Sequence, residues 1–408
     1  MEEIRQPQEK YPVFTLILIF FTMLPVTMIV PVFKDLIKDR LGGDNLMVSF
    51  FMSSAMLGSF LFSPVAGFLS DKFRNRKTFI SIFAILDGLC FFLLSRISSL
   101  NLLQGVRFIE GVCHVFVIGL LLSLISDREN DPSSKRFFKK GLLLGVSGSL
   151  LSLGVGIGSP LGVFGRKDPL LPFYIAGTLM LLIGFLSIFF LKDHPFHFQA
   201  PVTLRNWYRA FKKNVFILLP YAYTFIDRFS VGFLVTTFNL HLREDLHLKP
   251  GEVGLSLSLV LIPMSLLSYP FALVSKKTGT LPLMMLGSVL YGLCIGFAGF
   301  AEEKIWLWFW LLLAGLGAGV MFVPSMIFCS SIAPEGYNAS VMAGFTGFGS
   351  IGFMLGPIVA GLIEPGFIER FGKSNGFSLL SLLIGSMEIG IVILSIPFYN
   401  TFKGKKNE

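Results

Sequence analysis

Apolar runs of about 20 residues recur along the whole chain, separated by short polar breaks. Each is long enough to cross a hydrocarbon core of roughly 30 Å at about 1.5 Å rise per residue. Lipid offers the backbone no hydrogen-bond partner, so a crossing segment must satisfy its own N–H and C=O groups, and these runs are read as helices. They fall near 11–33, 46–69, 78–95, 101–125, 141–163, 170–191, 215–240, 253–273, 281–300, 305–331, 341–363 and 377–399, twelve spans in all. The prolines within them (Pro25, Pro64, Pro160, Pro270, Pro357) are compatible with membrane helices, where neighbouring helices re-satisfy the freed backbone. With 53% hydrophobic and only 14% charged residues, the chain carries more apolar surface than a water-soluble fold can hide. The expected class is an all-α integral membrane protein.

The net charge of +9 does not point to nucleic acid, because the basic residues sit at the ends of spans rather than on one interleaved patch. They concentrate in the even-numbered connections: DKFRNRK at 71–77, SKRFFKK at 134–140, and the stretch 192–214. This bias places both termini in the cytoplasm, with the plasma (inner) membrane as the expected location. The first run is too long for a signal-peptide core and lacks a small-residue cleavage site, so it is expected to remain as the first helix. Residues 192–214 divide the chain into 1–191 and 215–408 and read as a linker carrying a basic amphipathic helix at the membrane surface. Cys90, Cys113, Cys294 and Cys329 lie inside apolar runs without zinc or redox spacing, and His194, His197, His241 and His247 lack metal-ligand spacing. No metal and no cofactor is expected.

The halves echo each other weakly. FSPVAGFLSDK, ending the second span, is mirrored by SYPFALVSKKTG ending the eighth, and Pro132 before the fifth by Pro334 before the eleventh. Parallel six-helix repeats build two-bundle transporters with a midplane site. The strongest motif is GFLSDKFRNRK: Gly67, Leu69, Asp71, Lys72, Arg76 and Lys77 match the pattern Gly-x-Leu-x-Asp-Arg/Lys-x-Gly-x-Arg/Lys-Arg/Lys. Arg74 replaces its second glycine, and Asn75 stands where a base is usual. Here the chain resembles the major facilitator superfamily, and the resemblance extends over nearly its whole length. It implies two pseudo-symmetric six-helix bundles and a latch that holds an outward-open state, with Asp127 as the partner of Arg76. Gly67 is expected to let the second span approach the eleventh, with Asp71 facing the positive N-terminus of that helix near Ser340.

The fifth span is rich in small residues and ends in Gly158, Ser159, Pro160 and Gly162, resembling the Gly-x-x-x-Gly-Pro motif of the superfamily's antiporter branches. GSIGFMLGPIVAG in the eleventh repeats the theme with Gly356 and Pro357. Both are expected to pack closely between bundles. Charges within spans carry the most functional information, because each is costly in lipid unless paired or lining water. Arg107, Glu110 and His114 stand three and four residues apart, on one face of the fourth span. RFIEG resembles the superfamily's Arg-x-x-Gln-Gly signature, whose arginine the family links to proton coupling. Asp227 and Arg228 fall near mid-membrane in the seventh span, with Tyr223 one turn from the acid. Adjacent helical residues point about 100° apart, so these two charges are not expected to pair. The resemblance makes the first and seventh helices cavity-lining and those bearing Asp87 and Glu388 peripheral, so that structural pairing competes with transport for these two acids.

The expected function is secondary transport of a small organic solute by a monomer, with protons as the coupling ion and export of a hydrophobic or amphipathic compound favoured. Uptake of an organic anion held by Arg107 and Arg228, or movement of a lipid or lysolipid, are the alternatives. An integral-membrane enzyme would need a nucleophile–base or metal constellation near one face, and no such motif is present in the sequence.

Overall fold

The computed structural model describes residues 12–130, 142–193, 204–335 and 337–399; the termini and the 134–140 basic cluster lie outside them. The described residues form helices and no strand. Among the described residues eleven helices are long and apolar enough to cross a membrane. The seventh span completes the twelve as a helical run over 218–244 in which a π turn, Leu234–Phe238, separates Leu218–Phe233 from Asn239–Glu244. The first span, Val13–Met28, continues through short 3-10 and π segments to Arg40. The fifth, Leu142–Gly158, tightens at Pro160 into a 3-10 segment, Ser159–Arg166. The eleventh, Asn338–Phe371, runs past the expected end at 363.

The faint internal echo becomes a repeated packing order. The first span packs on the fifth, the second on the fourth, and the third on the fourth and sixth. Six spans later the seventh packs on the eleventh, the eighth on the tenth, and the ninth on the tenth and twelfth. The second and eleventh spans, and the fifth and eighth, join the halves.

Small residues set these distances, because helix association in lipid rests on close van der Waals approach. A Cβ at Gly111 would lie 2.0 Å from the Ala55 carbonyl oxygen, which locks the fourth span against the second. The same logic corrects the interface expected for the proline motifs. Gly356 abuts the Phe229 backbone, and Pro357 packs on Gly232, so this motif holds the eleventh span to the seventh within one bundle. Gly158 and Gly162 abut Leu24 and Pro31 of the first span; only the other face of that segment, at Ser159 and Pro160, meets Gly254 across the bundles.

The linker helix, Leu204–Lys213, also departs from expectation. Its apolar side docks on the C-terminal half rather than on lipid: Trp207 donates to the Tyr221 hydroxyl at 3.2 Å, Ala210 is fully buried, and the Lys213 ammonium sits over the Tyr337 ring.

The loop between the second and third spans explains its two departures from the family pattern. Arg74 closes the second helix in the left-handed region at φ +49°, the conformation that favours a glycine there. Asn75 caps the third helix by accepting from Thr78 N–H at 2.9 Å, a role a base cannot fill. Arg74→Gly should therefore raise stability by at most roughly 1 kcal/mol, the left-handed cost net of glycine's entropy. Asn75→Ala should lower it by about 1 kcal/mol. Thermal unfolding of both variants in nanodiscs checks the opposite signs.

Candidate functional site

Two groups of charged side chains are buried at mid-membrane, one in each half. In the N-terminal half, the three-and-four spacing of the fourth span aligns Arg107, Glu110 and His114 as expected. Arg107 Nη1 donates to Glu110 Oε2 at 2.6 Å, and the guanidinium lies over the Phe51 ring of the second span. Asp87 of the third span reaches His114 Nδ1 at 3.0 Å, so this acid belongs to the same cluster. Donor atoms of Asp87, Glu110 and His114 lie within 4.8 Å of one another, close enough to hold a metal ion. Arg107 already neutralises Glu110, so the set fits a proton better than a divalent cation. Asp87 Oδ1 and His114 Nε2 have no hydrogen-bond partner among the described residues.

In the C-terminal half, Glu388 of the twelfth span is fully buried and accepts from Ser288 at 2.5 Å and Ser230 at 3.3 Å. Ser230 lies one turn from Asp227, and Tyr223, on the other side of that acid, bonds Ser395 at 2.8 Å. The seventh span thus presents Tyr223 and Ser230 to the twelfth. Asp227 Oδ1 and the Tyr291 hydroxyl are buried without a hydrogen-bond partner among the described residues. Contrary to the sequence expectation, Asp227 and Arg228 do form an ion pair, at 3.7 Å from Nε to Oδ2. The long arginine stem folds back far enough to overcome the angular separation of adjacent positions.

Arg107, Glu110 and Asp227 are only 1%, 2% and 6% exposed. Burial against partner side chains is what lipid favours for charge.

We call the side bearing the 71–77 loop the inner side, after the charge bias. Cross-bundle contacts among the described residues cluster between the midplane and the outer side. Ser53 donates to the Met354 carbonyl, Ser265 to that of Ser149 and Ser258 to that of Gly156. Farther out, Lys38 pairs with Glu244, Arg243 with Asp35, and Asn45 donates to Glu364 at 3.1 Å. Sequence reasoning missed this layer because Glu364 lay just beyond the expected end of its span and its partners are remote in sequence.

On the inner side, positions where a side chain at Gly67, Gly145 or Gly148 would project are open. Gly67 therefore makes no close approach to the eleventh span in this state. Asp71, half exposed, pairs with Arg76 at 3.2 Å, and Arg76 reaches Asp127 at 2.7 Å. Lys77 and Arg76 donate their backbone N–H groups to Asp193. Among the described residues Asp71 thus finds its ion-pair partner within its own half.

Two halves of packed apolar helices with charges buried near their midpoints have the architecture of a membrane transporter. The Major Facilitator Superfamily model matches residues 15–234 and 220–368, and the chain belongs to that family. It is 24% identical over 399 residues to quinolone resistance protein NorA of Staphylococcus aureus strain COL, covering 95% of this chain and 96% of that protein. It is 22% identical over 388 residues to an MFS-type transporter of Methanocaldococcus jannaschii, covering 91% and 96%. In fold, it matches a mutant of nucleoside transporter NupG with TM-score 0.79 at 13% identity, over 95% of this chain and 99% of that one. A bacterial homologue of the human lysosomal transporter Spinster, inward-facing and occupied, matches with TM-score 0.79 at 12% identity, over 97% and 99%.

The outer contacts carry a pH signature. Burial raises the Asp35 carboxyl above its ordinary range, with Asp39 adding to it and Arg243 and Lys34 only partly offsetting it. Burial acts the same way on Asp245, but hydrogen bonds from His241 and Lys373 outweigh it and hold that carboxyl low. As pH falls from neutral, Asp35 takes up its proton before Asp245 and releases Arg243 first. Spin-label distances between the outer ends of the first and seventh spans should widen on acidification, and Asp35→Asn should be wide already at neutral pH. Distances that narrow or ignore pH would exclude this gate.

Proposed function

We propose that the protein is a proton-coupled exporter of a hydrophobic or amphipathic organic solute, working by alternating access. The observation that carries this reading is the pair of buried acid clusters, Asp87–Glu110–His114 and Asp227–Glu388, each leaving one carboxylate oxygen without a hydrogen-bond partner among the described residues. A carboxylate in lipid is stable when protonated or paired, so a change of partner on bundle rocking changes its proton affinity. Kinship with a quinolone resistance protein supports export over uptake.

In this reading the described conformation is inward-facing, with the outer ion pairs closed. The reverse state closes the inner side and brings Asp71 against the positive N-terminus of the eleventh helix, with Arg76 and Asp127 completing a latch. The solute, the proton and the lipid bilayer are the partners, and the site needs no cofactor.

Transport in proteoliposomes under an imposed pH gradient tests the coupling. Glu110→Gln or Asp227→Asn should reduce the gradient-driven component roughly tenfold or more, equivalent to about 1.4 kcal/mol of lost coupling, while leaving folding and some solute binding intact. If both single variants keep wild-type pH dependence, neither acid is the coupling group.

A further inference from the structure

Arg228 differs from every other midplane charge. Asp87 and Glu388 are fully buried, Glu110 and Asp227 nearly so, and Arg107 is 1% exposed and paired at 2.6 Å. Arg228 keeps 27% of its side chain accessible. From Leu219 to Leu240 no residue of the seventh span is more than partly exposed, and from Phe229 to Leu240 all are buried, so neighbouring helices cover most of this stretch. The accessible part of Arg228 therefore opens onto internal space.

The side chain is also held in place. Its stem lies where the eleventh span has Gly349, at which a Cβ would come 3.3 Å from Arg228 Cγ. The face of the guanidinium rests 4.8 Å from the Phe322 ring of the tenth span. Its Nε side turns toward Asp227 at 3.7 Å, too long for a hydrogen bond. A guanidinium has five N–H donors in a fixed fork, and the edge formed by the two terminal nitrogens matches a carboxylate, sulfonate or phosphate. Among the described residues no group accepts a hydrogen bond from it. A cation this deep in a membrane is costly unless it is paired or lines water.

We propose that Arg228 is the docking point for an anionic group on the transported solute, which pairs with the terminal edge of the guanidinium while Asp227 keeps the Nε side. The inference rests on the reading of the midplane as the transport site and adds the class of solute: an amphiphile whose apolar body bears one carboxylate, sulfonate or phosphate. A solute arriving from the inner side meets this cation, whereas the acids that would attract a cationic solute are buried. A negative-inside membrane potential also favours the exit of such an anion.

The test uses the full chain in nanodiscs and four probes: 1-pyrenebutyrate, its methyl ester, the matching pyrenebutyl-trimethylammonium, and lysophosphatidate as competitor. Binding is read by energy transfer from tryptophan to pyrene. The carboxylate should bind at least tenfold more tightly than the ester or the ammonium. Arg228→Gln should bring the carboxylate to the ester's affinity and leave the ester unchanged, and Arg228→Lys, which keeps the charge without the fork, should fall between. Displacement by lysophosphatidate identifies a phospholipid headgroup as the natural source of the anion, and its failure identifies a free organic acid; both support the site. Equal binding of carboxylate and ester, preference for the ammonium, or an unchanged ratio in Arg228→Gln overturns it. If Arg228→Gln does not fold, the Arg228→Lys ratio decides. Transport of the carboxylate without response to a pH gradient would remove proton coupling and leave the anion site standing. Gradient-driven transport of the ammonium in preference to the carboxylate would do the reverse.

Discussion

The hydrocarbon core supplies no water to a charge, and the rest of this structure follows from how each intramembrane charge is satisfied without it. Arg107 answers Glu110, His114 answers Asp87, and two serines answer Glu388. The first pair lies on one helix, while the other two sets join different helices of one bundle, so there satisfying the charge also holds the bundle together. Helices reach these distances because glycines at their crossings, such as Gly111 against Ala55 and Gly356 against Phe229, admit backbone contact. The bundles thereby become rigid bodies whose mutual contacts can differ between states while their internal contacts persist.

Between the bundles the bonding is of another kind. At the outer side it is ionic and peripheral, with Lys38, Glu244, Asp35 and Arg243 in positions that water can reach when they separate. Ion pairs with partial solvent access are individually weak, unlike the buried pairs within each bundle. Asn45 and Glu364 add a more buried link just beneath them. At the inner side Arg76 remains tied to Asp71 and Asp127 within its own bundle.

Much of this was legible from residue order. Hydropathy located the spans, and a spacing of three and four aligned Arg107, Glu110 and His114, because both are properties of a single helix. The family pattern implied the Arg76–Asp127 pair. Contacts set by the crossing of remote helices left no local trace: Asp87 with His114, Glu388 with Ser288, and Glu364 with Asn45. The angular argument separating Asp227 from Arg228 treated side chains as directions and ignored the reach of an arginine. The small-residue stripes announced close packing but not against which helix, and Gly356 and Pro357 proved to face the seventh span. A basic amphipathic linker helix reads the same whether its apolar side meets lipid or protein, and here Trp207 and Ala210 meet protein.

The central claim is that carboxyls buried within the bundles gain and lose protons as the bundles move. Infrared difference spectroscopy after a pH jump observes this directly, through the carbonyl stretch of protonated carboxyl groups in the membrane-embedded protein. The account predicts a band from a buried, slowly exchanging carboxylic acid that is diminished in Glu110→Gln or Asp227→Asn and untouched by Asp193→Asn on the inner surface. A wild-type spectrum without such a band, or one that both buried-site variants leave unchanged, would contradict it.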